Sequence, residues 1–221
     1  MARKGYNCKT DVSWKLNSHL NNKKGMDMSF YSIVEYDQAS PDVQEIYDDV
    51  KNTLGITELP NWIKCMGENA NLLRGNWEKV KHTEIHGLLP NVIKELIIFC
   101  ISVKRGSKYC SSAHAHSALQ LDSSLTYEDL DAIAHDDNYE ILPKQYHVAI
   151  KKGIKCALEP TSLSNEDIDE LRDQGFTNVE IQEIFALADL SVMFNTITMA
   201  ADLEVDDEFS ETFESVWKEA G

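Results

Sequence analysis

The chain has 221 residues, 43% of them hydrophobic and 26% charged, which excludes wholesale disorder and leaves ample length to bury a core. Its 21 Lys and Arg against 37 Asp and Glu give a net charge of −16, a surface that repels phosphate backbones and anionic lipid. Neither nucleic acid nor a membrane is therefore an expected partner.

Residues 1–27 hold six basic and two acidic side chains, a balance of +4, so the remaining residues carry −20 of the total. The segment is rich in Asn and Lys with little apolar periodicity, and it reads as a flexible basic extension. Met26 and Met28 would each serve as a start of the compact protein, and residues 28–221 read as one helical domain. Ser40-Pro41 supplies an N-cap followed by proline at the first helical position. Val43, Ile46, Tyr47, Val50 and Leu54 follow at helical spacing until Gly55. Pro60 opens a stretch with Trp62, Ile63 and Met66, and a further segment carries Leu72, Leu73, Trp77 and Val80 before Gly87. His82 and His86 in that segment read as a surface pair, because the glutamate between them is misplaced for a His-Glu-x-x-His zinc motif.

Pro90 opens the most apolar helix, which closes at Arg105-Gly106; its run from Leu96 to Ile101 is the longest uninterrupted one and too short to cross a bilayer. Pro143 starts an amphipathic segment with Tyr146, Ala149, Ile150 and Ile154, and Pro160 falls in a linker. Ser164 and Thr177 each begin a capping box, with Asp167 and Glu180 at the third helical position. Glu204, Asp206, Asp207 and Glu208 read as a solvated face. No stretch alternates with period two, so the expected fold is all-α.

Cysteines stand at 8, 65, 100, 110 and 156, an odd number with no Cys-x-x-Cys pair. That argues against a disulfide framework and a four-thiolate zinc site, and it suits a reducing compartment. No apolar signal core follows the basic first residues, so the expected location is the cytoplasm. Cys65, Cys100 and Cys156 lie in apolar helical patterns and read as small buried hydrophobes.

Chemistry concentrates between residues 90 and 121. Glu95 is the one acid in the apolar helix. It is either a desolvated carboxylate able to pass protons or a solvated first-turn acid favoured by the helix dipole, and position alone favours the second. After the turn at Gly106, Ser107 is a natural N-cap, and Cys110 falls at the third helical position, where free backbone N–H groups favour a thiolate. His114 lies one turn on, facing the same way as Cys110, whereas His116 turns away with Tyr109. A nucleophile, an imidazole and a carboxylate are the parts of a thiol-based proton relay.

The spacing of Glu95, Ser107, Tyr109-Cys110 and His114 resembles the active-site signature of the alkylhydroperoxidase AhpD and carboxymuconolactone decarboxylase superfamily. Its peroxidase branch reads Glu, eleven residues, then Cys-x-x-Cys-x-x-x-His. The blocks Ile46-Tyr47-Asp48-Asp49-Val50, Leu54-Gly55, Pro60-Asn61, Phe194-Asn195 and Ala201-Asp202 are similar to its peroxidase-related members. The resemblance covers roughly residues 29–210 and implies an AhpD-like helical bundle with a central helix–turn–helix, in a homo-oligomer. The first motif cysteine is Ser107 here, so the intramolecular disulfide of the paired enzymes cannot form.

What the resemblance implies is a one-cysteine peroxidase-like antioxidant oxidoreductase. Cys110 would attack the hydroperoxide, Glu95 and His114 would relay the proton beside Ser107, and an external thiol would restore the cysteine. Two alternatives use the same pocket. One is acid–base chemistry of the decarboxylase kind on a small organic acid, with His114 and Glu95 but without Cys110. The other is a helical binding protein that has lost its activity. No glycine-rich phosphate loop or dinucleotide fingerprint occurs, so no nucleotide or nicotinamide cofactor is expected, and with His116 turned from Cys110 and His114 no metal is expected either.

Overall fold

The computed structural model describes residues 31–217, so the basic segment 1–27, with Cys8, Met26 and the boundary at Met28, lies outside the described residues. Helix α1, Pro41–Leu54, begins at Ser40 as expected and buries Val43, Ile46, Tyr47 and Val50. It stops at Gly55, whose φ of 69° is left-handed and suits a residue without Cβ. A single turn, α2 (Asn61–Lys64), leads to α3 (Ala70–Val80), where the Asn69 side chain accepts from the Leu72 N–H. The helical path then widens into a π-turn over Lys81–Ile85 before Gly87, a feature that hydrophobic spacing does not announce.

Helix α4, Asn91–Arg105, buries every residue from Ile93 to Ser102 except Glu95. Its six largest aliphatic and aromatic side chains contribute about 1.5–3 kcal/mol each, enough to seat Lys94 and Glu95 in the same helix. Gly106, at φ 75°, ends it and lets the chain reverse into α5, Lys108–Leu121. Helix α6 (Tyr127–His135) starts on a Thr126–Asp129 capping box that the sequence reading had passed over. Helices α7 (Lys144–Leu158), α8 (Asn165–Asp173) and α9 (Asn178–Ala200) begin at Pro143, Ser164 and Thr177 as expected, the last two with both capping-box bonds formed. Pro160 opens a 3₁₀ turn, Pro160–Ser162, and the unforeseen short helix α10, Ser210–Val216, closes the described chain.

Among the described residues there is no strand, so the fold is all-α, and each of the ten helices contributes to one core. Helix α4 is the axis: α5, α7 and α9 pack directly on it. The 23-residue α9 is long and apolar enough, by length and composition, to cross a membrane, which counting uninterrupted apolar runs had overlooked. Its buried residues, Ile181, Ile184, Leu187, Ala188, Leu190, Ser191, Phe194, Asn195 and Thr198, form the broad stripe of a helix laid against a protein core.

Candidate active site

The reversal at Gly106 sets Ser107 at the N-cap of α5 and Cys110 at its third position. Ser107 does not cap with its side chain; its Oγ lies 3.2 Å from Thr198 Oγ1 on α9. The Cys110 sulfur is 3.2 Å from the same Thr198 oxygen, whose own hydroxyl donates to the Phe194 carbonyl. Cys110 is only 3% exposed. Burial pushes its thiol pKa up, and hydrogen bonds from Ser107, Thr198 and Asn195 only partly offset this. The thiolate expected from the helix start is therefore corrected: α9 seals the sulfur in surroundings that favour the neutral thiol.

His114 Nδ1 lies 2.7 Å from Glu95 Oε2, across the α4–α5 contact. A carboxylate only accepts, so Nδ1–H donates. Glu95 is thus the paired carboxylate and not the solvated first-turn acid that its position favoured; its side chain is 13% exposed. A third group joins them. Glu84, on the π-turn, brings Oε1 to 3.8 Å from His114 Nδ1. Burial and the facing Glu95 charge push the Glu84 carboxyl up to about 8. Burial on its own would lower the His114 pKa, but Glu95 and Glu84 outweigh it and the net shift is upward. The donor atoms of Glu84, Glu95 and His114 lie within 4.8 Å of one another and could hold a cation; a shared proton satisfies the same cluster without one. The sequence reading missed Glu84, having dismissed it as the misplaced glutamate between His82 and His86.

What holds Glu84 there is a buried lysine. Lys94, 1% exposed, donates to the Glu84 carbonyl at 2.6 Å and to Asn91 Oδ1 at 3.3 Å, and its ammonium stands 3.8 Å from Glu183 on α9. Glu183 accepts the backbone N–H groups of Leu88 and Leu89. A Cβ on Gly87 would come within 1.9 Å of Glu183 Oε1, so a side chain there would push this carboxylate aside.

A cavity of about 880 Å³ opens onto Glu84, Glu95 and His114. Trp62 and Phe194 form one wall, their rings edge-to-face at 5.1 Å, with Phe194 5.6 Å from the His114 ring. Cys110 and Ser107 are not among the lining residues. His116 packs on Phe209 at 5.4 Å and Tyr109 packs on the same ring at 6.5 Å; Tyr109 is buried outside the cavity, whereas His116, expected to point elsewhere, lines the same cavity as His114. Asp206 departs from the solvated face assigned to it. It is half-buried, accepts the Tyr109 hydroxyl, and accepts the Asn61 N–H at 3.3 Å. Cys100 is buried in α4, as expected, and all four described cysteines are free.

No protein-family model matches the chain, and no curated protein matches its sequence. Solved structures do match. An uncharacterized peroxidase-related protein from Ralstonia eutropha JMP134, described as an alkylhydroperoxidase AhpD core, superposes with a TM-score of 0.72 at 19% identity, over 84% of this chain and 96% of that one. This chain has the AhpD-like fold. A peroxidase-related protein from Silicibacter sp. TM1040 shares the AhpD-like fold at TM-score 0.69 and 18% identity, over 87% of this chain and 100% of that one. The debrominase Bmp8, as a Cys-to-Ala variant in complex with 2,3,4-tribromopyrrole, matches at TM-score 0.69 and 21% identity, over 85% and 99%. The AhpD-like fold thus carries more than one activity.

Proposed function

We propose that this chain is an AhpD-like thiol oxidoreductase that reduces hydroperoxides through Cys110. The observation that supports it is the Glu95–His114 pair, closed at 2.7 Å on the floor of a cavity, one helical turn beyond Cys110. In this reading His114 takes the thiol proton, and Ser107 and Thr198 steady the sulfur as it becomes charged. The thiolate attacks one peroxide oxygen, the O–O bond breaks, and the leaving oxygen takes a proton to depart as alcohol, leaving Cys110 as sulfenic acid. A first external thiol displaces water to form a mixed disulfide, and a second releases the thiol of Cys110 as its own disulfide forms. Ser107 lacks a sulfur to do this within the chain. Because the sulfur is sealed behind α9, the peroxide must gain access past Phe194 and Thr198 from the cavity. A homo-oligomer belongs to the same reading, by likeness to the family that the motif resembles.

A second reading is favoured by one observation: Glu84, Glu95 and His114 line the cavity and Cys110 does not. Acid–base chemistry of the decarboxylase kind would use the imidazole and two carboxyls and leave the thiol as packing. Brief exposure of the reduced protein to alkyl hydroperoxide, followed by sulfenic-acid trapping and peptide mass analysis, separates the two. Selective labelling of Cys110, slowed about 100-fold or more in His114→Ala, is the expected result. Peroxide turnover that survives in Cys110→Ser would overturn the thiol reading, and slow, indiscriminate labelling would turn attention to His114 acid–base chemistry or to a binding protein without turnover.

A further inference from the structure

The cavity that reaches His114 is unevenly charged. Its outer lining includes Glu58, Asp206, Asp207 and Glu208, of which Glu58, Asp207 and Glu208 are exposed. Of the basic lining residues other than His114, Lys64 is already engaged with Glu35 at 3.0 Å, and His116 Nε2 is 2.7 Å from the Gln120 amide and 3.9 Å from Glu208. At the floor, Glu95 and Glu84 both face the His114 ring, Glu95 hydrogen-bonded to its Nδ1 at 2.7 Å and Glu84 3.8 Å from it. The mouth is therefore negative. The lining also includes the aromatic rings of Trp62, Phe194 and Phe209, and the face of an aromatic ring attracts a cation within about 6 Å. Acidic groups around aromatic walls combine two sources of attraction for one kind of molecule, and the net negative charge of the surrounding body adds to it at long range.

We propose that the cavity selects by charge, admitting a cationic, amine-bearing substrate with an apolar or aromatic body and turning away carboxylates. This rests on the cavity being the substrate site and deepens that reading. It also separates the two chemistries, since the decarboxylase alternative requires an anionic lactone acid to enter past the acidic mouth.

Titration calorimetry with benzyltrimethylammonium and with phenylacetate tests the selection with ions that do not react. The ammonium is expected to bind about tenfold or more tightly than the carboxylate, with an advantage that shrinks as salt is added. Neutralising the exposed mouth in a Glu58→Gln, Asp207→Asn, Glu208→Gln variant should remove most of that advantage; Asp206 is left intact because it braces the fold. Equal or tighter binding of phenylacetate, no heat with the ammonium at millimolar concentration, or an unchanged preference in the triple variant would each overturn the proposal. The same preference in Cys110→Ser would show that selection stands whether or not Cys110 reduces peroxides.

Discussion

Glu84 lies 3.8 Å from the His114 imidazole, and burial beside Glu95 carries its carboxyl from an ordinary value of 4.5 to about 8. Between those values the folded chain keeps a proton that the unfolded chain has released. Stability from this group is therefore complete below 4.5 and is lost as pH rises towards 8. His114, also raised, acts with the same sign. Glu84→Gln fixes the neutral form, so the stability difference between variant and native chain in urea melts should move in favour of the variant as pH rises through that window. Parallel stability curves would mean that the carboxyl titrates normally. Cys110 obeys the same electrostatics: burial outweighs its hydrogen bonds to Ser107, Thr198 and Asn195, and the thiol is pushed up.

At the scale of elements, the π-turn Lys81–Ile85 and the start of α4 act together. The wider turn re-aims Glu84 towards α5, and Lys94 ties its carbonyl down while facing Glu183 of α9. A buried charge left without its partner is costly, so Lys94→Met, which strands Glu183 and frees the turn, should lower stability by about 3 kcal/mol in denaturant titration. An unchanged midpoint would show that Glu183 is satisfied by the Leu88 and Leu89 N–H groups alone. The α4–α5 reversal does comparable work with fewer parts. The left-handed Gly106 directs α5 back along α4, and this return brings His114 onto Glu95 nineteen residues earlier.

Across the whole molecule, the C-terminal stretch straps one side of the cavity. Asp206 joins the Tyr109 hydroxyl to the start of α2, where Tyr109 also accepts the Trp62 N–H at 3.3 Å. Trp217 donates to Ser111 Oγ at 2.8 Å, and Lys108 lies over the Phe213 and Trp217 rings at 5.8 Å. Tyr109 is thus the hub between α5, α2 and the strap. Tyr109→Phe removes both bonds and should cost about 2 kcal/mol, with the loosening visible as faster hydrogen exchange at Asn61 and Trp62. Loss of stability without that local exchange would place the effect elsewhere.

Most helix starts were legible from a few adjacent residues: Ser40-Pro41, Pro90, Pro143, and the capping boxes at Ser164 and Thr177 all act locally. So were the Gly55 and Gly106 stops, the all-α class, and the placing of Ser107, Cys110 and His114 on one helix start, because caps, turns and the 3.6-residue period depend on neighbours in the chain. Whether Glu95 was solvated or paired, whether Glu84 belonged to the site, and whether Asp206 was surface or brace were decided by how separate helices cross. The charge state favoured by Cys110 was decided in the same way. A helix start favours a thiolate through its local field, yet α9, arriving some ninety residues later, excludes water from the sulfur and reverses that preference. Local chemistry is written in adjacent side chains; desolvation and the meeting of charges belong to the packed molecule, where distant segments replace water around one another.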